Sequence, residues 1–270
     1  AGLNYYVNVN DRVTHKLSVF NTQLSITKNK SAYYDYFPAD DNLRDEIFQK
    51  YFVYNPAVGS MYDNGNGTLT KDDVSNVIIT DTGFINTIST EEDSQLYINF
   101  LQVLYKKERI TQNVIINSLL YNFNYNEIGK KGFKNPFYFD GKVELAGNAL
   151  GLLSKKYETS NNLNVNSRQI FGIPISQFIK FDVDIRKYFT FSNNHQFIVR
   201  QVVGLGIPYG NSSSMPFVRS YFSGGSNDVR AWIAFGGLGP ADTQVDKRVR
   251  AYMMGNVKLT TNIEYRFPIN

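Results

Sequence analysis

The 270-residue chain contains no cysteine, two histidines and a single tryptophan. Without cysteine there is no disulfide framework and no thiolate metal site. His15 and His195 lie far apart in the sequence, which leaves a histidine-based catalytic pair little to build on. His195 falls in the polar turn "SNNH" and reads as exposed turn chemistry. No apolar run approaches the roughly 18 residues that a membrane-crossing helix needs. The opening "AGLNYYVNVN" lacks the basic start and apolar stretch of a signal peptide. Charge is sparse too: 19% of residues are charged and the net charge is +4. No stripe of Lys and Arg points to nucleic acid. The pairs Lys106-Lys107 and Lys130-Lys131 read as solvated charges on a helix face or loop.

Aromatic residues and period-two alternation are plentiful. There are 19 Tyr and 20 Phe. In "NVKLTTNIEYRF", Val257, Leu259, Thr261, Ile263, Tyr265 and Phe267 fall on one face, opposite Lys258, Thr260, Asn262, Glu264 and Arg266. Side chains of a strand alternate between its two faces, so one face is apolar and the other polar. The same split recurs in "PISQFIKFDVDIRKYF", "FYFDGKVELAGNALG", "VIINSLLYNFNY" and "GLNYYVNVN", and in "QFIVRQVVGLGI" with Gln201 as the exception.

The spacing predicts strands at 2–9, 14–27, 113–127, 137–153, 174–190, 194–207 and 255–267. Most are longer than the usual 5 to 6 residues or so, and suit the roughly 9 to 11 that a tilted strand needs to cross a bilayer. One apolar face, one charged face and many aromatics fit an antiparallel membrane β-barrel with a wet lumen. A soluble sandwich with one solvated face is the alternative.

Connections alternate between tight ("NVNDR", "FSNNHQ") and long (28–112, 154–173, 208–255), with the long ones all on one side. Within 28–112, "DDNLRDEIFQKYF" and "TEEDSQLYINFLQVLYKKE" show helical spacing. In the second, Leu96, Phe100, Leu101 and Leu104 are expected on one apolar face. "MYDNGNGTLTKDD" invites a calcium reading but fails the EF-hand register, which leaves turn chemistry. Seven strands would leave two edges of unpaired backbone in hydrocarbon, so the chain is expected to be part of a larger barrel.

The final third carries a more specific signal. "YFSGGSNDVRAWIAFGGLGP" is followed by "NIEYRFPI" and preceded by "GIPYG". Together these resemble the outer-membrane assembly and translocation family typified by BamA and TamA. "FYFDGKVELAGNALGLLS" and "FGIPISQFIKFDVDIRKYF" are similar to its lipid-anchored, TamA-like (TamL-type) branch. The resemblance implies an all-β fold, a transmembrane barrel of about 16 strands. This chain would be a partial barrel domain over 1–270, with 28–112 as a partly helical extracellular insertion and 208–255 as a loop folded into the lumen.

The same resemblance implies that Val229, Arg230, Ala231 and Trp232 form the docking tip of that loop. Gly224, Gly225, Gly239 and Pro240 frame it, and Glu264 is the partner of Arg230 on the inner wall. Alternation independently puts Glu264 on the charged face. Ala231 stands where the family has glycine, a departure that matters if the position needs a positive φ. The glycines do not make a phosphate loop, because no Gly-Lys-Ser/Thr follows. The implied role is non-enzymatic, without cofactor or metal, at the bacterial outer membrane. Implied partners are membrane lipid, client outer-membrane proteins and periplasmic assembly or TamB-like subunits, and not nucleic acid. A two-partner-type secretion pore on the same barrel is the alternative, and a soluble all-β binding protein a third.

Overall fold

Regular alternation becomes strand, and the strands assemble into one antiparallel sheet. The computed structural model describes residues 2–63, 66–158, 166–191, 195–226, 228–232 and 254–267. Its strands are β1 (Leu3–Asn8), β2 (Val13–Ser25), β3 (Val114–Asn126), β4 (Phe137–Ala146), β5 (Lys155–Glu158), β6 (Asn166–Ile170), β7 (Ile173–Pro174), β8 (Phe178–Thr190), β9 (Gln196–Pro208) and β10 (Val257–Arg266). Its helices are α1 (Tyr33–Tyr36), α2 (Pro38–Tyr54), α3 (Pro56–Tyr62), α4 (Lys71–Thr80), α5 (Thr82–Thr87), α6 (Glu91–Thr111) and α7 (Asn148–Leu153). Two units result among the described residues, 2–27, 112–232 and 254–267 in one and 28–111 in the other.

The first unit holds a seven-stranded sheet in the order β1-β2-β3-β4-β8-β9-β10 and a three-stranded sheet, β5-β6-β7. The large sheet is unclosed among the described residues, a partial β-barrel. Short turns at 8–13, 126–137 and 190–196 share one end, here the turn end; the long connections leave from the opposite, loop end. The apolar face is the exposed one: Leu259 is 72% and Ile263 65% exposed. A water-soluble sandwich would have buried these side chains. Near the turn end the same face carries aromatic contacts, Phe123 with Phe139, Tyr125 with Phe137 and Phe189 with Phe197. His195 stacks on Tyr265 there and hydrogen-bonds its hydroxyl at 2.7 Å. Such girdles mark the edges of a lipid-facing band.

Register sets the inward face. Asp184 lies opposite Asp140, and Arg186 opposite Arg200. Like charges directly across a ladder repel. Here Nη2 of Arg186 and Nη2 of Arg200 both reach Oδ2 of Asp184 at 2.8 Å, while Asn122 and Asn124 donate to Asp140. The repulsions are thereby converted into a hydrogen-bonded lattice.

Two strand limits differ from expectation, and a third strand carries a register shift. The strand expected over 137–153 ends at Ala146, because Gly147 turns to φ +81 and a Cβ there would meet the Ser176 carbonyl at 2.3 Å. Residues 148–153 then coil into α7. The strand expected from 174 starts at Phe178, with Ile173–Pro174 pairing instead in the small sheet. Within β2 the register shifts between Ser18 and Asn21 around Phe20, at φ +55, which is bulge geometry.

The helical unit is built around Leu43, Ile47, Phe48, Val74, Ile78, Phe100 and Val103, all buried. Thr70 and Asp73 form a reciprocal capping box on α4, and the Thr70 hydroxyl holds the Asp73 carboxyl below its usual range. Asp81 caps α5; the Phe84 amide, then the Tyr51 hydroxyl, lower its carboxyl likewise. Helix α2 starts at Pro38, with Asp40 and Asp41 in its first turn. The buried face of α6 runs through Leu96, Asn99, Phe100 and Val103, which leaves Leu101 exposed, contrary to expectation.

Lys106 and Lys107 also correct the sequence reading. Both are buried, Lys106 against Asp40 at 2.6 Å and Lys107 against Asp72 at 2.5 Å. Desolvation pulls the Lys106 ammonium below its ordinary value, and Asp40 partly restores it. A paired lysine on a helix of mixed pattern is indistinguishable, by spacing alone, from a solvated one.

Candidate functional site

Two glycines in β9 prepare the inward wall. A Cβ at Gly204 would lie 2.5 Å from the Tyr221 ring, and one at Gly206 2.9 Å from Cε of Met215. Both glycines occupy inward positions, opposite Asp182 and Lys180 of β8. The chain that leaves β9 returns over them and lays Met215 and Tyr221 against bare backbone. Met215 completes a small apolar cluster with Val114, Ile116, Ala146 and Phe178.

The returning segment is then pinned by polar contacts. Arg219 Nε donates to Glu144 at 3.3 Å, and Nη1 to Gln23 at 2.9 Å. Ser118 donates to the same Glu144 oxygen at 2.7 Å. Arg219 thus joins β2 and β4, with β3 drawn in through Ser118. The Tyr221 hydroxyl donates to Asp182 at 2.6 Å, while the Lys180 ammonium sits 4.3 Å over the ring. Tyr221 also exchanges two backbone bonds with Gly255, at 2.9 and 2.8 Å.

Gly224 and Gly225 follow at φ +100 and +98, values that L side chains rarely adopt. They reverse the chain into a turn closed by Gly225 N to Trp232 O (2.8 Å) and Trp232 N to Val229 O (3.1 Å). Asp228 fastens this turn to the wall. Its Oδ2 accepts from Gly224 N at 3.0 Å and from the Lys258 ammonium at 2.9 Å, and Asn262 donates to its carbonyl at 3.2 Å.

Val229, Arg230 and Ala231 face Asn262, Glu264, Arg266, Arg186 and Arg200 across one cavity of about 710 Å³. Arg230 and Glu264 are not joined directly. Arg230 Nε donates to the Ser226 carbonyl at 3.2 Å, and Glu264 is held by Arg266 of its own strand through two bonds, 2.9 and 3.1 Å. Ala231 takes no positive φ, so alanine is unstrained in the glycine's place. Trp232 is half-exposed. Gly239 and Pro240 lie outside the described residues.

Sequence reading missed Asp228, Lys258, Tyr221 and Arg219. Lys258 shares the inward parity of Glu264, and Asp228 directly precedes Val229, so an acid–base search over the loop and β10 would have found that pair. Nothing in the sequence places Arg219 beside Glu144. The lining can hold a backbone segment through charge-assisted bonds, with Asp184, Asp228 and Glu264 each already engaged by a cation.

Comparison with curated proteins and with solved structures gives no match. A family model, the Omp85 superfamily domain, matches residues 2–270. Members of that superfamily are outer-membrane proteins that serve protein assembly and secretion without enzymatic chemistry. An open antiparallel sheet, apolar outside and charged inside, with a long segment folded against its inner wall, agrees with that match over the whole described chain: the protein belongs to the Omp85 superfamily.

Proposed function

We propose that this chain supplies barrel wall and lumenal loop to a BamA/TamA-type assembly or translocation factor of the bacterial outer membrane, in the TamA-like, TamL-type branch. On this reading 1–270 is a partial barrel domain, 28–112 an extracellular insertion and 208–255 the lumenal loop. Clients are outer-membrane proteins, the surrounding lipid takes part, and periplasmic partners of the TamB kind present the clients. The chain works by holding and releasing polypeptide rather than by catalysis.

The observation that carries the reading is the return of residues 209–232 onto the inward wall, seated on Gly204 and Gly206 and tied by Asp228 to Lys258. A segment so fixed stiffens the wall from inside while leaving the strand edges available for client pairing. On this reading Arg230 and Glu264 add a second tie when the tip moves inward: they line one cavity without a bond between them, and Glu264, held by Arg266, would exchange that partner for Arg230. Fork-like guanidinium–carboxylate pairs suit this exchange because they fix register more than they add stability.

The test is complementation of a strain depleted of the full-length protein, scoring insertion of outer-membrane clients, beside limited proteolysis of the loop. Asp228→Ala, Arg230→Ala and Glu264→Ala are each expected to raise loop cleavage and lower client insertion. Parental behaviour by all three would refute the reading.

A further inference from the structure

The described part of the connection between β4 and β8, residues 147–158 and 166–177, forms a small lobe of its own. Helix α7 starts just after Gly147. Nη1 of Arg168, on β6, donates to the carbonyls of Gly151 (2.6 Å) and Ser154 (3.2 Å) at the end of α7, so helix and hairpin are one piece. Asn211 then clamps β6 from its other side, accepting from Arg168 N at 2.5 Å and donating to the Ile175 carbonyl at 2.7 Å. Both α7 and β7 lie against β3. At the loop end of β3 the outward residues Ile115 and Asn117 are 8% exposed, whereas Leu119 and Tyr121, further along the same face, are 43% and 41% exposed. The lobe therefore stands at the rim of the apolar outer band.

This lobe carries three of the most exposed large apolar side chains among the described residues: Phe171 at 97%, Leu152 at 87% and Leu153 at 81%. Phe171 has a second peculiarity. With Gly172 it makes the two-residue turn between the paired Ile170 and Ile173, at φ +53 and +76. A turn with two positive φ values favours Asn-Gly, and a bulky aromatic in the first position is strained. No burial within the protein offsets that strain. Strain kept at an exposed apolar tip calls for an occupant outside the chain.

We propose that Leu152, Leu153 and Phe171 insert into the apolar part of the lipid leaflet at the loop end and anchor the barrel rim there. Lipid is the occupant because the lobe continues the outward apolar face: only Gly147 separates α7 from β4, whose outward Val143 is exposed like Leu119 and Tyr121 of β3. Leucine and phenylalanine at the boundary of an acyl layer are what interfacial anchoring uses.

The chain has no cysteine, so a single introduced one is unique within it. Cysteine is placed at Leu152, Phe171 or Leu119 in the full-length protein, labelled with a polarity-sensitive fluorophore and reconstituted in phosphatidylcholine–phosphatidylglycerol vesicles containing acyl-brominated lipid. Blue-shifted emission and bromine quenching are expected at all three positions. Quenching at Leu119 with water-like, unquenched emission at Leu152 and Phe171 would overturn the anchor alone. Loss of quenching at Leu119 as well would overturn the lipid-facing reading of β3 and the proposal with it. Phe171→Asn relaxes the turn, so it should melt no lower than the parent while weakening the quenching of a label at Leu152. Undiminished quenching in that variant would remove Phe171 from the anchor.

Discussion

The helical unit and the sheet place the same side-chain types in opposite positions. In the helical unit Leu43, Phe48 and Phe100 are inside and fully buried. In the sheet Val257, Leu259 and Ile263 are outside, while Glu144, Asp182 and Asp184 turn inward to meet Arg219, Tyr221 and Arg200. Apolar surface avoids water in both. The helices achieve this by packing on one another; the sheet has a second solvent available, and only the charged face must find water or a partner. Periodicity thus reports which residues share a face, and strand length with aromatic girdles reports which solvent that face meets.

The largest effect that would sharpen the contrast is in the helical core. Phe100→Ala should cost about 3 to 5 kcal/mol by transfer and cavity losses, read as an earlier loss of far-UV helix signal in urea with the full chain. Next comes the sheet exterior. Leu259→Arg should cost about 2 to 4 kcal/mol if the residue sits near the bilayer midplane, whereas Lys258→Arg, one residue away on the inward face, should be nearly neutral in the same refolding assay. Equal costs at 258 and 259 would erase the distinction between the faces. Asp228→Ala removes the partner of Lys258; the expected penalty on loop docking is about 1 to 3 kcal/mol, seen as faster proteolysis between 209 and 232.

The smallest effect is electrostatic. Thr70→Ala should cost about 1 kcal/mol through the lost cap of α4. The carboxyls of Asp73 and Asp81 titrate below their usual value when folded. A depressed folded pKa gives stability that is present above the unfolded value of about 3.9 and is lost as pH falls through the folded one. Helix signal in the full chain should therefore hold down to about pH 5 and decline below about pH 4, sooner in Thr70→Ala. A midpoint indifferent to pH across that window would contradict the capping account.

Most of the sheet was legible because every long strand alternates and every tight turn is polar. What escaped was local: Gly147 at φ +81 ended β4 early, the strand expected from 174 began at Phe178, the short sheet β5-β6-β7 was missed, and Phe20 made a bulge. Spacing predicted α2 and α6 but missed α1 and α3 to α5, which are short; side-chain caps hold α4 and α5, and none of these helices shows a clean apolar stripe. At the site, motif and parity pointed to Arg230 and Glu264; the two line one cavity, with Arg230 bonded to the Ser226 carbonyl and Glu264 to Arg266. The ties made by Arg219 and Tyr221 were not legible, since they join residues up to 196 positions apart and depend on where the returning chain crosses β9. The glycines at 204 and 206 were the available hint: inward positions without side chains mark where another segment lies close.

The assignment of faces is tested most directly by a cysteine scan of β10 in the full-length protein, using a membrane-impermeant, water-soluble thiol reagent. Reaction at Glu264 and Arg266, which line the cavity, with protection at Val257, Leu259, Thr261, Ile263 and Tyr265, is the expected pattern; Lys258, Thr260 and Asn262, covered by the docked segment, should react only once Asp228→Ala releases it. Uniform labelling, or reaction confined to the second set, would contradict a lipid-facing exterior and a wet, charge-lined interior.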